Sequence, residues 1–223
     1  MMKKLIILIS TFLIISCNAC SYSSMNGFGK TIKGSGNIIK ESRTLSDFHA
    51  VKIIGSVDAD ITSGDSFSCR VKGDDNLVPL VETAVNNSTL EISLEGSYST
   101  KSPLVVYIEI PVLEKAQIIG SGDMLITDLK QDKIVMIISG SGDITALGKV
   151  GFLDARVSGS GDLSLKKLQA NHANVTINGS GDAEVWADQS ITAKVNGSGD
   201  IVYEGNPAEV NTQVNGSGDI TKR

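Results

Sequence analysis

Aromatic residues are scarce: Phe, Tyr and Trp together make up 4% of the 223 residues, and there is one tryptophan. Few platforms are left on which bases or sugars could stack. Two histidines and three cysteines are too few for most zinc sites and for a disulfide-dense scaffold. Positive charge is also short. There are 20 Lys and Arg against 25 Asp and Glu, a formal charge of −5, and no basic cluster. A basic nucleic-acid-binding protein is therefore excluded. Composition also argues against a multi-span membrane protein. What remains is 41% apolar and 20% charged residues, a globular balance for one or two domains.

The N-terminus carries an address. Lys3 and Lys4 precede an apolar stretch, residues 5–15, too short to span a bilayer comfortably. Residues 1–16 read as a secretory signal peptide. The segment ends in Ile14-Ile15-Ser16-Cys17, which resembles a bacterial lipobox. That resemblance implies cleavage before Cys17 and lipidation of Cys17, so that the membrane is a partner through the acylated N-terminus. The alternative is ordinary cleavage after Ala19. Asn18, not Asp, follows the cysteine, which favours the outer membrane of a bacterial cell envelope. Residues 17–33 are rich in Ser, Gly and Asn and read as a flexible tether.

The rest of the chain is organised by a repeat. Gly-Ser-Gly-Asp occurs six times, starting at Gly120, Gly140, Gly159, Gly179, Gly197 and Gly216. Looser copies stand at Gly34 (GSGN) and Gly55 (GSVD), and the repeat lapses between Gly55 and Gly120. Strict alternation precedes each motif, as in Leu153, Ala155, Val157 and in Ala173, Val175, Ile177. Period two means a strand with one buried face. Alternation resumes after the motif, in Leu163 and Leu165 or Ile201 and Tyr203, before a polar or glycine-bearing loop.

Two glycines per motif allow a corner that a β-carbon would forbid, and Ser and Asp can bond N–H groups at the corner. The turn glycines are Gly120, Gly122, Gly140, Gly142, Gly159, Gly161, Gly179, Gly181, Gly197, Gly199, Gly216 and Gly218. A single unit buries too few small side chains to be stable. Stacking units at the strand spacing of about 4.8 Å pairs each strand with its equivalent. The expected fold is all-β: a single-stranded parallel β-helix with coils of about 19 residues turning at the GSGD motifs. One head domain would cover residues 34–223, irregular over 34–119 and regular over 120–223. Residues 50–54, 58–62, 67–71, 89–94 and 104–110 also read as strands, Asn86-Asn87 as a hairpin turn, and 77–85 as the one stretch that could be a short helix.

Residues 43–48 (RTLSDF), His49-Ala50-Val51, Gly55 into Asp60-Ile61-Thr62, residues 72–77, 88–92 and 105–111, and then the GSG series resemble the head GIN domain family of auto-transporter adhesins. The resemblance spans residues 44–221. It implies a right-handed β-helix related in shape to pectin-lyase-type folds, a role in adhesion, and no catalytic residues.

Other residues carry weaker signals. Asp123, Asp143, Asp162, Asp182, Asp200 and Asp219 would form a ladder if the coils stack in register. Neighbouring charges about 4.8 Å apart repel by about 0.9 kcal/mol in water. Calcium could relieve this, but one Asp per coil gives few ligands, and a cap on each aspartate's own turn is the plainer role. No metal and no cofactor is expected. His49 and His172 lie far apart in strand-like sequence, so no catalytic residue is assigned and no enzyme is expected. Trp186 faces outward by the alternation, either as a contact surface or packed on a neighbouring loop. Cys69 alternates with Phe67 and Val71 on an inward face, as a buried structural thiol. Leu125, Val135 and Ile137 would face outward from strands apolar on both sides, and the N-terminal β-region is expected to bury them in a monomeric head.

The function read from the sequence is a lipid-anchored, non-enzymatic envelope protein, adhesin-like, with a glycan or protein ligand. The alternatives are a polysaccharide-active enzyme on the same fold and a structural or assembly protein of the envelope.

Overall fold

The computed structural model describes residues 31–223. The signal peptide, Cys17 and most of the tether lie outside them. Ile32–Lys33, at the tether's end, form a short parallel pairing with Tyr98–Ser99.

The chain is a parallel β-solenoid. Strands entering the GSGD corners stack into one long sheet, and Gly140, Gly159, Gly179, Gly197 and Gly216 are register partners from coil to coil. Strands leaving the corners stack into a second sheet, through Met124, Ile144, Leu163, Ala183, Ile201 and Ile220. The loops expected between units are absent from the middle coils. Met124–Gly140, Ile144–Gly159, Leu163–Gly179 and Ala183–Gly197 each run as one bent strand of 15–17 residues. The third side consists of the middles of these strands, where the ladder slips between Ile126 and Leu129, and between Thr145 and Leu147. Residues 205–208, Gly-Asn-Pro-Ala, are the one such connection in the later coils that leaves the ladder.

The interior follows the alternation. Ile53, Ile118, Ile138, Val157, Ile177 and Val195 form one inward column, all fully buried. Each such side chain contributes about 1.5–3 kcal/mol relative to exposure. β-branched residues suit this column because they pack on a pleated surface with little rotamer freedom to lose.

The N-terminal end is built out of sequence order. Ala50–Gly55 and Asp58–Ser63 make a coil whose corner, Gly55-Ser56-Val57-Asp58, sits under the corner at Gly120. The chain then passes beneath it, where Thr89–Ser93 and Val105–Ile110 stack on the far sides of the same two strands. It next crosses back through residues 111–114 to begin the coil at Lys115–Gly120. Antiparallel strands close this end: Glu82–Asn86 on Thr89–Ser93, Ser68–Asp74 on Val105–Ile110, and Ile38–Arg43 outermost. The hairpin turn is Asn87-Ser88, both with positive φ, one residue later than the sequence indicates. The possible helix is a single 3₁₀ turn, Val78–Leu80, followed by a strand.

Two expectations need correction. The GSGN copy at Gly34 is no coil corner: Ser35 and Asn37 wrap the loop at Asp75-Asn76, with the Ser35 hydroxyl 2.6 Å from Asp75 and Asn37 Nδ2 2.8 Å from it. Leu125 is not buried by the N-terminal region; it is 39% exposed, while Val135 and Ile137 are half-buried. The N-terminal strands extend the edges of both sheets and do not cover their faces.

Candidate functional site

The corners are the most regular feature. Within them the first glycine of each motif has a positive φ, from 135° at Gly120 to 151° at Gly197. At Gly120, Gly140, Gly179 and Gly197 the carbonyl accepts two N–H groups of the next coil: Gly140 O receives Ser160 N–H at 2.9 Å and Gly161 N–H at 3.2 Å. The second glycine does not adopt a positive φ. It is fixed by proximity: a Cβ at Gly161, Gly181 or Gly199 would lie 2.1, 2.0 or 1.9 Å from the carbonyl oxygen below. The first glycine therefore answers both to backbone angle and to coil spacing, and the second to coil spacing alone.

The aspartates do form a ladder, but each caps its neighbour's turn and not its own. Asp123 Oδ1 accepts Asp143 N–H at 3.0 Å, and the pattern repeats at 2.7–2.8 Å up to Asp200 and Asp219. Asp58 starts the ladder, accepting Asp123 N–H at 2.9 Å. One oxygen of each carboxylate is thus committed to backbone. Among the described residues no group of three or more acidic, His or Cys side chains is arranged to hold a metal. The motif serines are exposed and make no side-chain hydrogen bond among the described residues, so their hydroxyls do not serve the corner as the sequence suggested.

Asp58 differs in being half-buried. Burial raises its pKa above the usual carboxylate value, repulsion from Asp123 and Asp60 adds to this, and the Asp123 N–H opposes it. A carboxyl whose pKa is raised on folding favours the folded state at low pH, and this contribution is lost as pH rises through the folded pKa. Asn at this position keeps the acceptor oxygen and removes the charge. Asp58→Asn should therefore raise stability at pH 7, by at most about 1 kcal/mol. The gain should vanish below the unfolded pKa of about 3.8. Thermal melts at pH 7 and pH 3 check this; an equal or lower melting temperature at pH 7 would contradict it.

Outside the corners, the outer face of the first sheet is a flat array. Its columns run Asp154, Asn174, Thr192, Asn211 and Arg156, Thr176, Lys194, Gln213. A third holds Asn178, Asn196 and Asn215, which hydrogen-bond along the stack at 2.7 and 2.9 Å. Arg156 pairs with Asp154 at 2.7 Å. This amide ladder was not foreseen, although Asn before three successive motifs is its visible signal.

On the third side, residues 111–114 are clamped to the first full coil by Gln131, whose side chain accepts Leu113 N–H at 3.2 Å and donates to Leu113 O at 2.7 Å. Beside the clamp lies an open trough of about 790 Å³ between residues 112–115 and 130–135. The remaining single residues are dispersed. His172 contacts Ser190 Oγ at 2.8 Å, and His49 lies exposed near the N-terminal end. Trp186 is half-buried with Nε1 donating to Asp188 at 2.7 Å. Cys69 is buried, and burial pushes its thiol pKa up to about 11 against a smaller pull from Arg43.

No curated protein matches the chain. Several solved structures share its fold. A putative adhesin from Bacteroides fragilis is 24% identical, with a TM-score of 0.67 over 86% of this chain and all of that one. A putative lipid binding protein from Parabacteroides distasonis is 23% identical, with a TM-score of 0.58 over 87% and all of that chain. A putative adhesin from the same organism is 24% identical, with a TM-score of 0.53 over 87% and all of that chain. The sequence profile of one family matches residues 47–147 and 120–207. Together these segments cover most of the chain, which therefore belongs to the family described as "putative auto-transporter adhesin, head GIN domain".

Proposed function

We propose that this chain is a lipid-anchored, non-enzymatic module of the bacterial cell envelope that binds a surface ligand, a glycan or a protein, through its solenoid faces. The observation that carries this reading is the outer face of the first sheet. Asn174, Thr176 and Asn178 lie beside Thr192, Lys194 and Asn196, and these beside Asn211, Gln213 and Asn215. The result is a flat grid of hydrogen-bonding groups repeating at the coil spacing. Such a surface suits a repetitive ligand lying across several coils, with many weak contacts acting together. Family membership and adhesin-described neighbours of the same fold support it. The dispersal of His49, His172 and Cys69 supports a role without catalysis, because general acid–base or nucleophilic chemistry needs such groups together in a cleft. The Ser16-Cys17 junction supports the anchor, and the outer membrane is the proposed location.

The test is binding of the mature protein to arrays of glycans and matrix proteins, with the same glycans incubated and analysed for shortened products. Saturable binding without products is expected. Cleavage of a glycan would support the polysaccharide-active alternative and contradict this reading.

A further inference from the structure

Four lysines gather where the third side of the solenoid meets the first sheet, in a molecule whose net charge is negative. Lys130 and Lys149 are register partners on adjacent coils, so their backbones stand about 4.8 Å apart and their like charges are stacked. Lys115 and Lys133 line the adjoining trough with Lys130. None of the four forms an ion pair among the described residues; the ion-paired basic residues are Arg43, Lys52, Arg156, Lys166 and Arg223. The aspartate ladder has a structural reason in the N–H groups it caps, and the stacked lysines have no such partner.

Two other features share this surface. Phe152 is 37% exposed, an outlying aromatic in a chain nearly without them, and Lys133 Nζ lies 5.7 Å from its ring centre. Glu114 and Asp132 line the same trough as the lysines. This mixture discriminates between anions. A nucleic-acid strand is held by aromatic platforms interleaved with basic groups, and Phe152 is a single ring. An acidic peptide offers few hydroxyls to those carboxylates. A sugar acid satisfies all three groups: its carboxylates pair with ammonium groups, its hydroxyls donate to Glu114 and Asp132, and the C–H face of its ring packs on Phe152.

We infer that this trough, lined by Lys115, Lys130 and Lys133, together with the adjoining surface at Lys149 on the next coil, binds an acidic polysaccharide through its uronate carboxylates. The inference rests on the surface-binding reading above and gives it a site and a ligand class. A polymer bearing carboxylates at regular intervals matches a surface on which Lys130 and Lys149 stack on adjacent coils.

The experiment is isothermal titration of the mature protein with polygalacturonate, alginate and hyaluronate, with fully methyl-esterified polygalacturonate and poly-glutamate as controls. Binding of at least one uronate polymer is expected, weakening steeply with added salt. Methyl esterification, where polygalacturonate binds, should weaken it about tenfold or more, as should Lys130→Ala/Lys149→Ala for whichever polymer binds. All sites are exposed, so the variants should melt with the wild type, and Phe152→Ala should weaken sugar binding without changing the salt dependence. Unchanged affinity in a folded double-lysine variant would overturn the inference, and so would poly-glutamate binding as tightly as the best uronate polymer. Failure of all three polymers, with some other surface ligand captured on the arrays, would overturn this site and leave the surface-binding function standing. Failure on every array, with glycan cleavage detected, would remove the function itself.

Discussion

Gly181→Val should destroy the folded solenoid, whereas Ser180→Ala, one residue away, should be nearly silent. A Cβ at Gly181 would stand 2.0 Å from Gly161 O and 2.9 Å from Gly161 C, both backbone atoms. No rotamer change relieves that contact. The coils would have to part, and the parting would break the corner hydrogen bonds Ser180 N–H to Gly159 O and Asp182 N–H to Asp162 Oδ1. A loss above about 4 kcal/mol is expected, in the range reserved for a named structural fault. Gly179→Val meets the same wall, 2.0 Å from Gly159 O, and must also hold a φ of 148° that β-branched residues avoid. Ser180 is exposed, so its loss should fall within about 0.5 kcal/mol. Denaturant unfolding of the three variants checks this. Gly181→Val with a wild-type midpoint would mean that adjacent corners are not in contact.

The origin of that constraint marks how far the sequence could be read. Two glycines per motif announced a tight corner, and the alternation placed Leu153, Ala155, Val157 and their equivalents inside, where they are. The reason for the second glycine was not legible, because it lies in the distance to another coil and not in any local backbone angle. The same limit hid the order of the N-terminal coils. Period-two alternation gives each strand an inner face but does not say which strand stacks on it. Ala50–Gly55 lies between Thr89–Ser93 and Lys115–Gly120, an order set only by tertiary packing. Val57 stands where the later motifs have glycine, and this becomes intelligible once the coil beneath is seen to widen over residues 94–104. A Cβ at Gly55 would find its nearest neighbour, Leu94 O, at 3.6 Å, against 2.0–2.3 Å at the equivalent glycines above. The lysine trough was invisible for a related reason: Lys115, Lys130, Lys133 and Lys149 are scattered in sequence and meet only through coil register.

Cys17→Ala should abolish lipid anchoring. Each buried methylene contributes about 0.8 kcal/mol, and one acyl chain alone gives only marginal, reversible attachment. Stable anchoring needs more than one chain, which the lipobox reading puts on the thiol and the amine of a single residue. Without the thiol neither step can proceed, and no described helix is long and apolar enough to cross a membrane in its place. The variant should move to the soluble fraction or keep its signal peptide. Intact-mass analysis of wild-type protein should show acyl adducts on the N-terminal cysteine; their absence would contradict the anchor.

Every ladder on the surface, and so every contact proposed for a ligand, depends on coils stacked in register. A disulfide reads that register directly. Gly140 pairs with Gly159, which sets Ser141 beside Ser160 on adjacent coils, both exposed. Neighbouring strands about 4.8 Å apart fall inside the Cα separation a disulfide accepts. Ser180 lies one coil further, at about twice that distance and beyond reach. In a Cys20→Ser background, with Cys69 buried, Ser141→Cys/Ser160→Cys should oxidise to an intramolecular disulfide in the native state. Ser141→Cys/Ser180→Cys should remain reduced under the same conditions. A bond in the second pair and none in the first would contradict in-register stacking of the coils.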